Sequence, residues 1–264
     1  MKLPDADNYL LLSQNPVMSE YPQPSTEPSL PAGLYLLPTP LGELLNDTLP
    51  EATIAVLHNT VVFLVEKAKT ARHFIKSARH PVPIQEIIIK EVNQVIPKED
   101  FDFLEHYITK GYSVGLLSEA GCPAVADPGA SVVLLAHQAG MEVVPLVGPS
   151  SIMLAVMASG MSGQHFCFHG YIAAKRSKLH HDLQQLELLS RKNKQTQVFI
   201  ETPYRNGAVI EQALLTLQPE TLLGIAADLT MPTRYVKTQT IAAWRKNPPP
   251  DLHKRPAIFL IYVL

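Results

Sequence analysis

The stretch from Ser113 to Val147 constrains the fold more than any other part of the chain. Ser113-Val114-Gly115-Leu116-Leu117 is a short apolar run of the kind a sheet buries. The loop Ser118-Glu119-Ala120-Gly121-Cys122-Pro123 leads on to Asp127-Pro128. Aspartate at an N-cap with proline in the first turn predicts a helix start. The helix is expected to reach Ala139 and stop at Gly140, since glycine tolerates the left-handed position after a helix. Glu142-Val143-Val144-Pro145-Leu146-Val147 reads as the next strand. Strand, helix and strand within about thirty residues make a βαβ unit, which requires an at least partly parallel sheet.

The same alternation runs through the rest of the chain. Gly33-Leu34-Tyr35-Leu36-Leu37 and Val61-Val62-Phe63-Leu64-Val65 read as buried strands, and Ile152 to Ser159 as a helix closed by Gly160. A new unit begins at Phe166-Cys167-Phe168-His169-Gly170-Tyr171. It continues with a polar helix (177–189), the strand Gln197–Ile200, a helix (208–217), the strand Leu222–Ala226 and a last strand, Ala257–Val263. The expected fold class is α/β, with two α/β domains and partly parallel sheets. Pro4, Pro16, Pro22, Pro24, Pro28 and Pro31 punctuate the first residues, so 1–31 is read as a flexible, poorly packed arm. The N-terminal α/β domain then spans 32–160 and the C-terminal one 161–264.

Composition narrows the class further. A chain of 264 residues with 46% hydrophobic and 17% charged residues suits a globular protein. Its two cysteines, Cys122 and Cys167, lie in unrelated contexts and fit a reducing compartment. No apolar run approaches the roughly 18 residues needed to cross a bilayer. Asp5 and Asp7 stand where a signal peptide needs cations. A cytoplasmic protein without membrane contact is expected. The net charge of −2 does not by itself indicate nucleic acid, but two stretches are basic. One holds Lys175, Arg176, Lys178, Arg191, Lys192 and Lys194; the other holds Arg234, Lys237, Arg245, Lys246, Lys254 and Arg255.

Ligands of open α/β sheets bind outside the carboxyl ends of the strands. Three loops in that position are rich in glycine, proline and serine: Pro38 to Gly42, Ser118 to Pro123 and Gly148 to Ser151. Each lets backbone approach a ligand closely. Neither a Gly-x-Gly-x-x-Gly nor a Walker-type motif is present. His165, Cys167 and His169 alternate along one strand and read as strand packing, so no metal is expected.

Ser118-Glu119-Ala120-Gly121-Cys122-Pro123-Ala124-Val125-Ala126-Asp127-Pro128-Gly129, taken with Val144-Pro145-Leu146-Val147-Gly148-Pro149-Ser150-Ser151, resembles the tetrapyrrole methylase superfamily. Within it the chain is most similar to the bacterial small-subunit ribosomal RNA (cytidine-2′-O)-methyltransferases. Leu37-Pro38-Thr39-Pro40-Leu41-Gly42-Glu43-Leu44, the segment 166–171 and Phe199-Ile200-Glu201-Thr202-Pro203-Tyr204-Arg205 also resemble that family's segments. Two places depart from it. Glu66-Lys67-Ala68-Lys69 stands where the family has Glu-Asp-Thr-Arg, and Lys254-Arg255-Pro256 where it has Lys-Gly-Glu. The resemblance implies two α/β domains with a cleft between them, S-adenosyl-L-methionine folded into that cleft, and a homodimer.

It also implies site residues. Gly121, Cys122, Pro123, Ser150 and Ser151 would hold the donor, Pro38 would line the opposite wall, and Pro256 and Ala257 would approach from the second domain. A ribose hydroxyl needs a base, and Glu66, Glu119 and Glu201 are the candidates, each at a strand end. Three readings stay open: a ribose methyltransferase acting on ribosomal RNA or the small ribosomal subunit, a tetrapyrrole-type small-molecule methylase, and a non-catalytic binding protein that keeps the fold.

Overall fold

Helices and strands alternate along the chain in a computed structural model that describes residues 21–42, 48–92, 97–172 and 176–264. The arm before Tyr21, Glu43-Leu44 of the first motif and Lys175 lie outside the described residues. The helices are α1 (Glu51–His58), α2 (Ala68–Ser77), α3 (Pro97–Thr109), α4 (Ala130–Gln138), α5 (Ser151–Ser159), α6 (Arg176–Asn193), α7 (Asn206–Thr216) and α8 (Ile241–Lys246).

The first sheet joins β1 (Gly33–Leu37), β2 (Val62–Val65), β3 (Ile88–Glu91), β4 (Ser113–Leu117) and β5 (Val143–Pro145) in the order β3-β2-β4-β1-β5. All its pairings are parallel. β2 and β4 are buried along their whole length, hence their unbroken apolar runs. The strands of the βαβ unit, β4 and β5, are not neighbours. β1 lies between them, with Leu34 opposite both Val114 and Val143. The helix between them starts later than Asp127-Pro128 suggests, because Asp127 bonds the amides of Ala124 and Gly129 and so ties the loop, while Gly129 takes the N-cap.

The second sheet joins β6 (Phe166–Tyr171), β7 (Thr196–Ile200), β8 (Leu222–Ala227), β9 (Tyr235–Thr240) and β10 (Ala257–Tyr262) in the order β6-β7-β10-β8-β9. Only β6 and β7 pair in parallel; the others are antiparallel. β9 and α8 carry little apolar periodicity, and their place comes from packing. Trp244 of α8 is fully buried, and its indole N–H donates to the Leu223 carbonyl at 2.9 Å. Without that partner the buried donor would cost about 1–3 kcal/mol. α5 packs onto this second sheet, where Ala155 and Val156 share a core with Val198, Ala226, Ile258 and Leu260. Leu41, from the loop after β1, reaches the same cluster and joins the two halves.

Residues 21–31 are extended, as their prolines require, yet they are not loose. Tyr21 meets Phe103 edge-on at 5.5 Å, and the Tyr107 hydroxyl donates to the Pro22 carbonyl at 2.7 Å. No helix among the described residues is long and apolar enough to cross a membrane.

His80 fixes the join between α1 and the segment after α2. Its Nε2 lies 3.0 Å from the carbonyls of both Leu57 and Thr60, so it carries the proton, and its Nδ1 accepts the Val82 amide at 3.1 Å. Burial pushes the imidazole below its usual pKa range. The neutral ring suits the folded state, and the unfolded chain takes up the proton first as pH falls. Stability is therefore expected to drop below about pH 6.5, the ordinary histidine value. Thermal unfolding followed from pH 7.5 to 5 should show a larger fall for the parent than for His80→Gln; equal slopes would assign the acid sensitivity elsewhere.

Candidate active site

Since the first sheet is wholly parallel, the loops after β2, β4, β1 and β5 leave from one edge in that spatial order. They bring together Glu66, the Ser118–Asp127 loop, Pro38–Leu41 and Gly148–Ser151. The loops after β2, β4 and β5, with Phe168, Tyr171 and Ile200 of the second sheet, line an open cleft of about 230 Å³.

Gly121 is the hinge of the assembly. Its amide and carbonyl exchange hydrogen bonds with Thr39 at 3.1 and 2.9 Å, locking the loop after β4 to the loop after β1. Its carbonyl also accepts the Ser118 hydroxyl at 2.8 Å. At φ +81° Gly121 occupies the left-handed region, and a Cβ there would stand 3.1 Å from Leu41 and 3.3 Å from the Pro149 carbonyl. The Cys122 thiol, raised in pKa by burial, donates to the same carbonyl at 3.5 Å and ties in the third loop. Ser150 caps α5, its hydroxyl accepting the Met153 amide at 3.4 Å.

Two non-glycine residues of this loop, Ala124 (φ +65°) and Ala126 (φ +61°), adopt the left-handed conformation. Asp127 imposes that shape by accepting the amides of Ala124 at 2.7 Å and Gly129 at 2.9 Å. Burial still raises its carboxyl above the usual range.

The rim carries the electrostatics. Glu66 lines the cleft and accepts the Glu119 amide at 3.4 Å. Burial pushes its carboxyl up, and the charge of Glu119 pushes it further. Glu119 also lines the cleft, but Lys67 clamps it at 2.5 Å and Thr70 donates to it at 3.1 Å. Lys67, from the segment that departs from the family pattern, thus meets Glu119 as one ion pair across neighbouring loops. A desolvated carboxyl in such a cleft is a proton acceptor of raised affinity.

Of the residues singled out from sequence, Glu66, Glu119, Gly121, Cys122, Ser150 and Ser151 line the cleft together. The others stand behind it. Pro38 packs on Gly148 so closely that a Cβ there would come within 2.3 Å of it. Pro123 lies in the loop but not on the cleft wall. The Pro256 carbonyl accepts the Asp228 amide at 3.0 Å, and Ala257 is buried in β10 opposite Ala227. Glu201 is buried and paired with Arg205 at 2.7 Å, at the base of the turn Pro203–Arg205. Asp127, Ser118, Phe168, Tyr171 and Ile200 were not foreseen individually as site residues. Asp127 read as a helix cap, and the last three take their place from the second sheet's position.

The profile of the Tetrapyrrole (Corrin/Porphyrin) Methylases matches residues 34–244. The chain is 30% identical over 210 residues to Ribosomal RNA small subunit methyltransferase I of Vibrio cholerae, covering 79% of this chain and 69% of that one. It is 29% identical over 217 residues to the protein of the same name from Buchnera aphidicola, covering 81% and 72%. Among solved structures the fold is shared with the methyltransferase CobJ, at a TM-score of 0.56 and 15% identity, over 88% of this chain and 94% of that one. Extent, order of motifs and fold agree: the chain belongs to the tetrapyrrole methylase family, methyltransferases whose donor is S-adenosylmethionine.

Proposed function

We propose that the acceptor is the 2′-hydroxyl of a cytidine ribose in small-subunit ribosomal RNA, and that the enzyme works in the cytoplasm as a two-fold homodimer. The observation that carries the acceptor is the kinship, over about four-fifths of the chain, with relatives named for small-subunit ribosomal RNA methylation. Two free thiols, Cys122 and Cys167, suit a reducing compartment.

The cleft lining suits the donor. Hydroxyls of Ser118, Ser150 and Ser151 stand against apolar Ile152, Phe168 and Ile200, a mixture that fits a ligand with an aromatic base and a polar amino-acid end. S-adenosylmethionine supplies a methyl group already activated on a sulfonium, so the protein's part is alignment and proton removal. Gly121, Cys122, Ser150 and Ser151 hold the donor, with Pro38 and Pro123 shaping their loops and Pro256 and Ala257 backing the far side. Glu66 is the general base. Glu119, clamped by Lys67, is a positioning residue, and Glu201 holds the turn after β7.

Small subunits lacking the modification should accept label from S-adenosylmethionine into an alkali-resistant cytidine dinucleotide. Intact donor binding without any transfer would favour a small-molecule acceptor, and no donor binding at all would leave only a non-catalytic role. Gly121→Leu should abolish donor binding in a folded protein, because it forces a disfavoured φ and pries Leu41 and Pro149 apart.

Glu66→Gln should lower kcat by about 10²–10⁴-fold, the usual worth of a general base. The acid limb of the rate profile should report Glu66, whose surroundings contain Glu119, Asp127 and Lys67. Lys67→Met leaves the charge of Glu119 uncompensated. That disfavours ionised Glu66, so the limb should move to higher pH, and adding Glu119→Gln should bring it back. An unmoved limb in Lys67→Met would remove Glu66 from the role of base.

The homodimer is supported by outward apolar side chains beside edge strand β5: Val147 at 74% exposure, and Met153 and Met157 one turn apart on α5. Light scattering should give twice the chain mass at micromolar concentration, and Met153→Glu with Met157→Glu should halve it; a monomeric parent would refute the dimer.

A further inference from the structure

The edge of the second sheet that borders the cleft carries a group of side chains that donor binding and proton removal do not use. β6 and β7 run parallel with Tyr171 opposite Ile200, and β10 enters from the same end, with Ile258 opposite Ile200. Tyr171, the turn Pro203–Arg205 after β7 and the loop before β10 therefore emerge together. At this edge the Tyr204 ring is 68% exposed. His253 meets it edge-on at 5.6 Å, and Lys254 Nζ lies 6.0 Å from its centroid. Tyr171, which lines the cleft, is 62% exposed.

What lies beneath this exposed group is rigid. Fully buried Asn206 donates to the carbonyls of Leu252 at 2.9 Å and Arg255 at 2.7 Å. The Lys254 amide donates to the Pro203 carbonyl at 3.0 Å. Arg255 bonds Asp228 at 2.8 Å and the Thr233 carbonyl at 2.6 Å. Lys254 itself sits at φ +65°, a conformation that a lysine keeps only where its surroundings impose it. Buried polar groups thus hold a solvent-facing aromatic ring and a cation in fixed relation. Arg245, from the same basic stretch of the sequence, is engaged differently: its guanidinium caps α7 through the carbonyls of Leu214 and Leu217.

An exposed ring with a cation beside it, at the edge of a cleft lined by loop backbone, is the chemistry that holds an unstacked base and its phosphate. We propose that Tyr204, flanked by His253 and Lys254, is a stacking platform for an unpaired base of single-stranded RNA, adjacent to the nucleotide that enters the cleft past Tyr171. The proposal rests on the RNA reading above and adds the surface that grips the strand. An acidic protein partner would respond to the charge of Lys254 but not to the ring of Tyr204. A stacked base responds to both.

The test uses the full chain and a fluorescein-labelled oligocytidylate of about twelve nucleotides, long enough to span an ordinary single-strand site. Tyr204→Ala should weaken binding by about 5- to 100-fold, and Tyr204→Phe should keep it, because stacking needs the ring and not the hydroxyl. Lys254→Ala should flatten the log–log salt dependence by about 0.7, one phosphate contact on a single strand. Calorimetric affinity for S-adenosylmethionine should be unchanged in all three variants, which also verifies that they fold. Tyr204→Ala binding as tightly as the parent would overturn the platform. A parent that labels small subunits but does not bind the oligonucleotide would overturn it too while sparing the RNA reading. A parent that does neither would overturn both. Binding lost in Lys254→Ala but not in Tyr204→Ala would point to an acidic partner and refute stacking.

Discussion

The one-way run of the first sheet's strands governs the rest of the molecule. Parallel strands send every carboxyl-end loop to the same edge, and the order β3-β2-β4-β1-β5 sets the loops after β2, β4, β1 and β5 side by side. Three of those loops supply the cleft wall with a carboxyl, a glycine hinge and a pair of serines, and the loop after β1 braces the hinge from behind. In an antiparallel sheet the same four segments would be split between two edges. Gly121 makes the loops act as a unit, because its backbone closes on Thr39 and only a residue without a side chain fits between Leu41 and Pro149.

Charge is arranged on this frame with economy. Three carboxyls, those of Glu66, Glu119 and Asp127, face a single cleft. Ionised together they would repel at close range, and each is handled differently. Asp127 takes two loop amides and holds two alanines in a left-handed shape. Glu119 is neutralised by Lys67. Glu66 has neither arrangement and keeps a carboxyl of raised proton affinity at the cleft wall. Burial raises the proton affinity of Asp127 as well, so two of the three acids at the cleft hold protons more readily than free carboxyls.

The second sheet serves a complementary purpose. Its antiparallel pairings bring the start of β10 back to the ends of β6 and β7, so loops distant in sequence lie together on the cleft side. Asn206 and Arg255 bind those loops to one another. α5, capped by Ser150 on the cleft wall and packing on the second sheet, joins the cleft loops to that surface.

Much of this was legible in the sequence. Unbroken apolar runs marked β1, β2 and β4 because strands buried on both faces have no polar side to show. Glycine and proline at their ends marked the loops, and the motif around Gly121 marked the family. β9 and α8 were not legible, since their side chains take their environment from neighbours such as Leu223 and not from a local period. The sequence by itself determined the alternation of elements, an at least partly parallel sheet and the glycine-rich loops. Only the tertiary structure decided that Glu66 faces the cleft while Glu201 is buried against Arg205, and that Lys67 meets Glu119. The physical reason is that a strand-end carboxylate looks the same in every sequence. Its role depends on burial and on the charge opposite it, and both come from segments far away in the chain.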